Sequence, residues 1–140
     1  MNDSIRIRVC LSVVENEKIL LVPHYKTEAG AVQWVVPGGK ITFGENLKAA
    51  AVREFREETG LEAEVTGLLD VSEVILPERP YHSISISLSG RVTGGTLGPE
   101  AKHPYGEKIP RWFSIAEVKA VCYHPERTVE KALGYEQNAD

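Results

Sequence analysis

From Ile5 to Val13 apolar and other residues alternate: Ile5, Ile7, Val9, Leu11 and Val13 are separated by Arg6, Arg8, Cys10 and Ser12. That period of two predicts a strand with one apolar face. Glu15–Lys18 is a polar turn, and from Ile19 to Tyr25 the apolar residues run together, which predicts a second and more deeply buried strand. Lys26–Ala31 reads as a loop and Gln33–Val36 as a short strand. From Leu47 there is no proline or glycine before Gly60. Leu47, Ala51 and Phe55 then share one stripe at about 100° per residue, the period of a helix. The helix is expected from about Asn46 to Thr59, with Thr42 and Glu45 at capping-box spacing, Gly60 as a left-handed stop and Leu61 folding back.

Beyond it, Ala63–Leu76 predicts a bent strand with Gly67 as a bulge, and Pro77–Pro80 a break. Ser83–Val92 alternates again, with Ile84, Ile86 and Leu88 on one side and serines on the other. Gly94–Lys108 reads as a loop rich in Gly and Pro, followed by a short strand at Arg111–Phe113. Ser114 with Glu117 caps a second helix to about Val121, and a last short helix runs from near Pro125 to Gly134 before a polar tail. Strands mixed with helices, without strict βα alternation, predict an α+β fold.

Composition narrows the setting. At 140 residues and 42% hydrophobic content the chain suits a single domain over 1–140. The net charge is −4 and no Lys/Arg cluster exceeds two neighbours, which argues against a nucleic-acid partner and an anionic membrane surface. No apolar run approaches 20 residues and no secretory signal is recognised, so the expected location is the cytoplasm. Cys10 and Cys122 have no metal-ligand spacing and read as ordinary core residues; His24, His82, His103 and His124 likewise receive no metal role.

The chemistry concentrates between Gly39 and Leu61, GKITFGENLKAAAVREFREETGL. Glu54, Glu57 and Glu58 occupy one arc of the predicted helix beside the apolar stripe, where like charges repel. A hard divalent cation offsets such repulsion, because magnesium takes oxygen ligands from a few carboxylates plus water and phosphate. Arg53, four residues before Glu57, is placed to hold that glutamate by a charged hydrogen bond. REFREE alone is an ordinary solvated helix face; its register with Gly39, Glu45 and Gly60 is not.

The fixed positions Gly39, Glu45, Arg53, Glu54, Glu57, Glu58 and Gly60, with apolar residues at Phe55 and Leu61, resemble the Nudix box. That box marks hydrolases of nucleoside diphosphates linked to another moiety. Phe55 is a small departure, since aliphatic residues are commoner there. W-V-V-P-G-G, from Trp34 to Gly39, is also how Nudix proteins usually enter the box. The resemblance implies a mixed sheet clasped between helices and a nucleotide-derived small-molecule substrate. It also implies a metal held by Glu54, Glu57, Glu58 and the carbonyl of Gly38, the ion being Mg2+ or in its place Mn2+. A homodimer is a candidate assembly.

Nudix enzymes also need a base for water, whose position differs between subfamilies. Glu107, just before the Arg111–Phe113 strand, is the candidate here, with Glu100 behind it. Tyr25, Trp34, Tyr81 and Tyr105 are candidates to stack on a base, and Arg79, Lys102 and Lys108 to meet phosphate, beside their plainer readings as packing and surface charge. In the family, a proline sixteen residues past the box accompanies ADP-ribose pyrophosphatases, and Pro77 stands sixteen after Leu61. A tyrosine near that offset accompanies diadenosine polyphosphate hydrolases, and Tyr81 lies somewhat later. The resemblance therefore leans to ADP-ribose or another nucleoside diphosphate sugar, with (deoxy)nucleoside triphosphates as the alternative. A nucleotide-sensing module without turnover is a third reading, which the intact box disfavours.

Overall fold

A computed structural model describes residues 4–25, 32–78, 80–99, 102–103 and 106–134, with 102–103 and 106–107 described by their backbone alone. Strands β1 (Arg6–Glu15) and β2 (Lys18–Tyr25) are joined by a tight turn in which Asn16 and Glu17 both take positive φ. Then come β3 (Val32–Val35), β4 (Gly38–Lys40), helix α1 (Leu47–Thr59), and the long hairpin of β5 (Leu61–Leu76) and β6 (Tyr81–Gly95). β7 (Lys102–His103), β8 (Gly106–Glu107), β9 (Arg111–Phe113), α2 (Ile115–Val118), β10 (Tyr123–His124) and α3 (Glu126–Leu133) complete the order.

The main sheet runs β10-β3-β2-β1-β6-β5, with β4 added to β1 and β9 to β2. β1 is parallel to β6 and β10 to β3, while the other pairs are antiparallel, so the sheet is mixed as the α+β reading expects. β1 and β2 are in register only at Val14↔Ile19 and Glu15↔Lys18. Past that point they part: β1 takes β4 as its neighbour at residues 8–10, and β2 takes β9 and β3. The fold therefore opens a wedge between the β1–β6 strands and the β2–β3 strands.

Two apolar cores flank the sheet. Val9, Leu11 and Val13 pack with Leu20, Leu88 and the Ala50, Ala51 and Phe55 face of α1. On the other side Cys10, Ile19, Leu21, Phe113, Val118 and Val129 close against α2 and α3. β1 thus departs from the expected one-faced strand, since Cys10 and Ser12 are buried too beneath the C-terminal helices. Ser87 and Thr128 are fully buried in this layer, where Thr128 Oγ1 lies 2.9 Å from Ser87 Oγ, which in turn lies 3.3 Å from Cys10 Sγ.

Several expected details shift. α1 is capped by Asn46, whose Oδ1 accepts from Ala49 N at 2.8 Å, whereas Thr42 and Glu45 close the turn before it. Leu47 is 39% exposed, because the helix meets the sheet only from Ala50 onward. Gly60 does stop the helix, at φ 80, its N–H donating to Arg56 O at 2.8 Å. β5 is irregular at Val65/Gly67 as expected, and also at Glu62/Ala63 and Leu68/Asp70. The stretch expected to be a loop over 94–108 contains the β7–β8 pair, α2 ends at Val118 instead of near Val121, and β4 and β10 were not expected. Among the described residues no helix is long and apolar enough to cross a membrane.

Candidate active site

α1 crosses the sheet beside β4, and this brings the Gly38-Gly39 backbone under the acidic face of the helix. Both glycines are required by close approach. A Cβ on Gly38 would stand 2.4 Å from Val9 O and 2.6 Å from Cys10 Cβ, and one on Gly39 would stand 2.5 Å from Glu54 Oε2. Without side chains there, Glu54 lies against β4, and Gly38 N donates to Glu58 Oε1 at 3.1 Å.

Arg53 is the hub. Its Nε and Nη2 donate to Glu45 Oε2 and Oε1 at 2.7 and 2.9 Å, a two-pronged pair, and Nη2 also reaches Lys40 O at 3.2 Å. Nη1 lies 3.4 Å from Glu54 Oε2 and 3.3 Å from Glu57 Oε1. Arg53 was expected to hold Glu57; it does so through its weaker contact, while its best geometry goes to Glu45, which thereby anchors the guanidinium to the turn before α1. Hydrogen bonding from Arg53 holds the Glu45 carboxyl down at about 2. Glu54 is pushed the other way: burial raises its pKa, and Arg53 only partly offsets that. The glutamates also differ in access, the side chain of Glu54 being 15% exposed and that of Glu57 51%.

Carboxylate oxygens beside a side-chain-free backbone are donors suited in kind to a hard divalent cation. Among the described residues no three His, Cys, Asp or Glu side chains already converge into a ligand set. Glu57 is turned to Arg53, and Glu58 accepts from the Gly38 amide. Gly60 stands at the far end of α1 as its stop. The side chain of Glu107, and Glu100, Arg79, Tyr105 and the side chains of Lys102 and His103, lie outside the described residues.

From this corner the wedge between β1–β6 and β2–β3 opens into a cavity of about 380 Å³. Gly38 and Glu58 stand on its wall with Arg8, Tyr81, Lys108 and His124. Tyr81 and Lys108 thus line the cavity. Trp34 follows its plainer reading: it packs on Phe113, ring centroids 4.9 Å apart, with Arg111 laid over it at 5.4 Å. Pro77 is exposed in the β5–β6 turn, and it is Tyr81, four residues on, that reaches the cavity. Arg8, Gln33, Ser85, His24 and His124 were missed as cavity residues. The alternation of β1 and β6 did put Arg8 and Ser85 on the side opposite the isoleucines, which was the available signal.

With this geometry, the comparison with known proteins gives the class: the chain belongs to the Nudix family, its NUDIX domain profile matching residues 5–132. It is similar to an ADP-ribose pyrophosphatase of Methanocaldococcus jannaschii, 35% identical over 120 residues, which is 84% of this chain and 68% of that one. A nudix hydrolase of Caenorhabditis elegans is 29% identical over 115 residues, covering 76% of this chain but only 27% of the worm protein. Among solved structures, a NUDIX hydrolase from Nitrosomonas europaea superposes with a TM-score of 0.76 at 23% identity, covering 96% and 94% of the two chains. A MutT NUDIX hydrolase from Burkholderia pseudomallei follows with a TM-score of 0.71 at 25% identity, covering 94% and 97%. The fold is the Nudix fold, and family membership holds over most of the chain, which itself spans only about a quarter of the worm relative.

Proposed function

We propose that this Nudix hydrolase cleaves the pyrophosphate of ADP-ribose or a closely related nucleoside diphosphate sugar, with magnesium, or manganese in its place, as the metal. The observation that carries the substrate is the 35% identity to the archaeal ADP-ribose pyrophosphatase across 84% of the chain. Pro77, at the offset the sequence singled out, supports the same reading.

Glu54, Glu57, Glu58 and the Gly38 carbonyl are assigned to hold the metal. When bound, such an ion neutralises phosphate charge and acidifies water, which is most of what phosphoryl transfer asks of a protein. The chain's own residues do the rest. Arg53, anchored by Glu45, fixes the helix face against β4 and orients Glu54 and Glu57. The Gly38-Gly39 backbone lets the phosphates approach without a side chain in the way. Glu107, adjacent in sequence to the cavity-lining Lys108, is assigned to take the proton from the attacking water.

The deciding experiment compares kcat/KM for ADP-ribose with that for a set of deoxynucleoside triphosphates, with and without magnesium, in the wild type and in Glu57→Gln and Glu58→Gln. The expected result is magnesium-dependent preference for ADP-ribose, with most turnover lost in both variants and melting temperatures kept. Preference for the triphosphates rejects the substrate assignment, and near-normal turnover in both variants rejects the metal site.

A further inference from the structure

The described arginines are nearly all engaged. Arg6 lies over the Tyr81 ring at 4.6 Å and Arg111 over Trp34 and Phe113 at 5.4 and 4.8 Å. Arg53 grips Glu45, Arg56 faces Glu62, Arg91 pairs with Glu64 and Arg127 faces Asp70. Arg8 alone is different: it lines the cavity, and its charge is felt at Cys10, Glu54 and Tyr81, but among the described residues its guanidinium makes no hydrogen bond, close ion pair or ring contact. A planar fork of donors left open at the wall of a cleft is suited to an anion with two oxygens to offer, a phosphate above all.

The backbone holds Arg8 in place from both sides. It is in register with Lys40 of β4 and with Ser85 of β6, so its Cα is set by two strand ladders rather than by a loop. Along β1, Cys10 is in register with Gly38, whose amide meets Glu58. Arg8 stands two residues from Cys10 on the same sheet face, about 6.6 Å further out along the strand. Beyond it the next groups on this wall are Arg6 and the Tyr81 ring it covers. Leaving the carboxylate corner, a ligand meets first the glycine backbone, then an open guanidinium, then an aromatic ring. That is the order of a diphosphate followed by a nucleoside.

We infer that Arg8 is a phosphate-gripping, specificity-determining residue of the cleft: it binds non-bridging oxygens of the substrate phosphate from the β1 wall. The inference rests on the pyrophosphohydrolase reading only in placing phosphates in this cleft, and not on which diphosphate is cleaved. The arginine binds rather than reacts, so its loss raises KM much more than it lowers kcat. Lysine at this position keeps the charge and loses the fork, and restores binding in part.

The test measures binding of ADP and of adenosine by calorimetry to the full chain in EDTA, where divalent cations do not contribute. Wild type, Arg8→Gln and Arg8→Lys are compared after confirming equal melting temperatures. The expected result is ADP affinity about 10- to 100-fold weaker in Arg8→Gln, an intermediate value in Arg8→Lys and unchanged adenosine affinity. Unchanged ADP affinity in Arg8→Gln overturns the assignment, as does an equal loss for adenosine, which would make Arg8 a shaper of the cleft. If ADP-ribose turns out not to be hydrolysed while ADP binding still depends on Arg8, the substrate proposal fails and this inference stands.

Discussion

Glu45 shows how one residue of the box holds another in place. Its carboxylate takes both prongs of Arg53, and that bond is the largest cause of its low pKa of about 2. An unfolded glutamate titrates near about 4.3, so protonation between these values favours the unfolded chain. The stabilisation from this pair is present above pH about 4.3 and is lost as the pH falls towards 2. Glu45→Gln is therefore expected to melt lower than wild type at pH 7, with the gap closing on acidification; melting curves across that range check it. A gap that stays constant with pH would show that the charge of Glu45 is not what stabilises. The fixed letters of the box were legible in the sequence because their spacing is strict. Which carboxylate Arg53 prefers was not, since Glu45 lies eight residues away across a turn whose path spacing alone does not give.

At the scale of elements, α3 is tied to the sheet by polar as well as apolar contacts. Lys131 Nζ lies 3.1 Å from Asp70 Oδ1, and Thr128 bonds Ser87 in the buried layer. Thr128→Val keeps the shape and removes that partner, leaving Ser87 with Cys10 alone. The expected cost is about 1 to 2 kcal/mol of unfolding free energy, read from the midpoint of a denaturant titration. An unchanged midpoint would show that the hydroxyls contribute nothing net. Elements with their own signal were legible: α1 from its uninterrupted run and Gly60, α2 from Ser114 and Glu117, β6 from its alternation. β4 and β10 were not. Gly38-Gly39-Lys40 has no strand propensity and is a strand only because β1 accepts it, and Tyr123–His124 because β3 does.

For the whole molecule, the hydrophobic pattern carried the α+β class and the apolar face that meets α1. It did not carry the wedge. That feature depends on β1 and β2 separating after Val14↔Ile19, and on β6, more than seventy residues later, joining β1 in parallel from Arg6↔Ser83 to Val13↔Gly90. Pairings at that separation leave no local trace in a sequence, which is why Arg8 and Ser85 were readable as one side of a strand and not as one wall of a cleft.

The same wall contains a thiol, and the chain has a second one to compare it with. Cys10 is 8% exposed, and burial raises its pKa, whereas Cys122 is exposed. A small alkylating reagent meets these sulfurs under different rules, because thiolate and access both govern the reaction. Cys122 is expected to react first, and Cys10 more slowly, since its burial and its raised pKa both hold it back. The ratio of the Cys10 rate to the Cys122 rate, followed by mass spectrometry, is therefore expected to fall when a nucleotide covers the cavity wall, and a ratio unmoved by added ADP would show that it does not seat against Cys10.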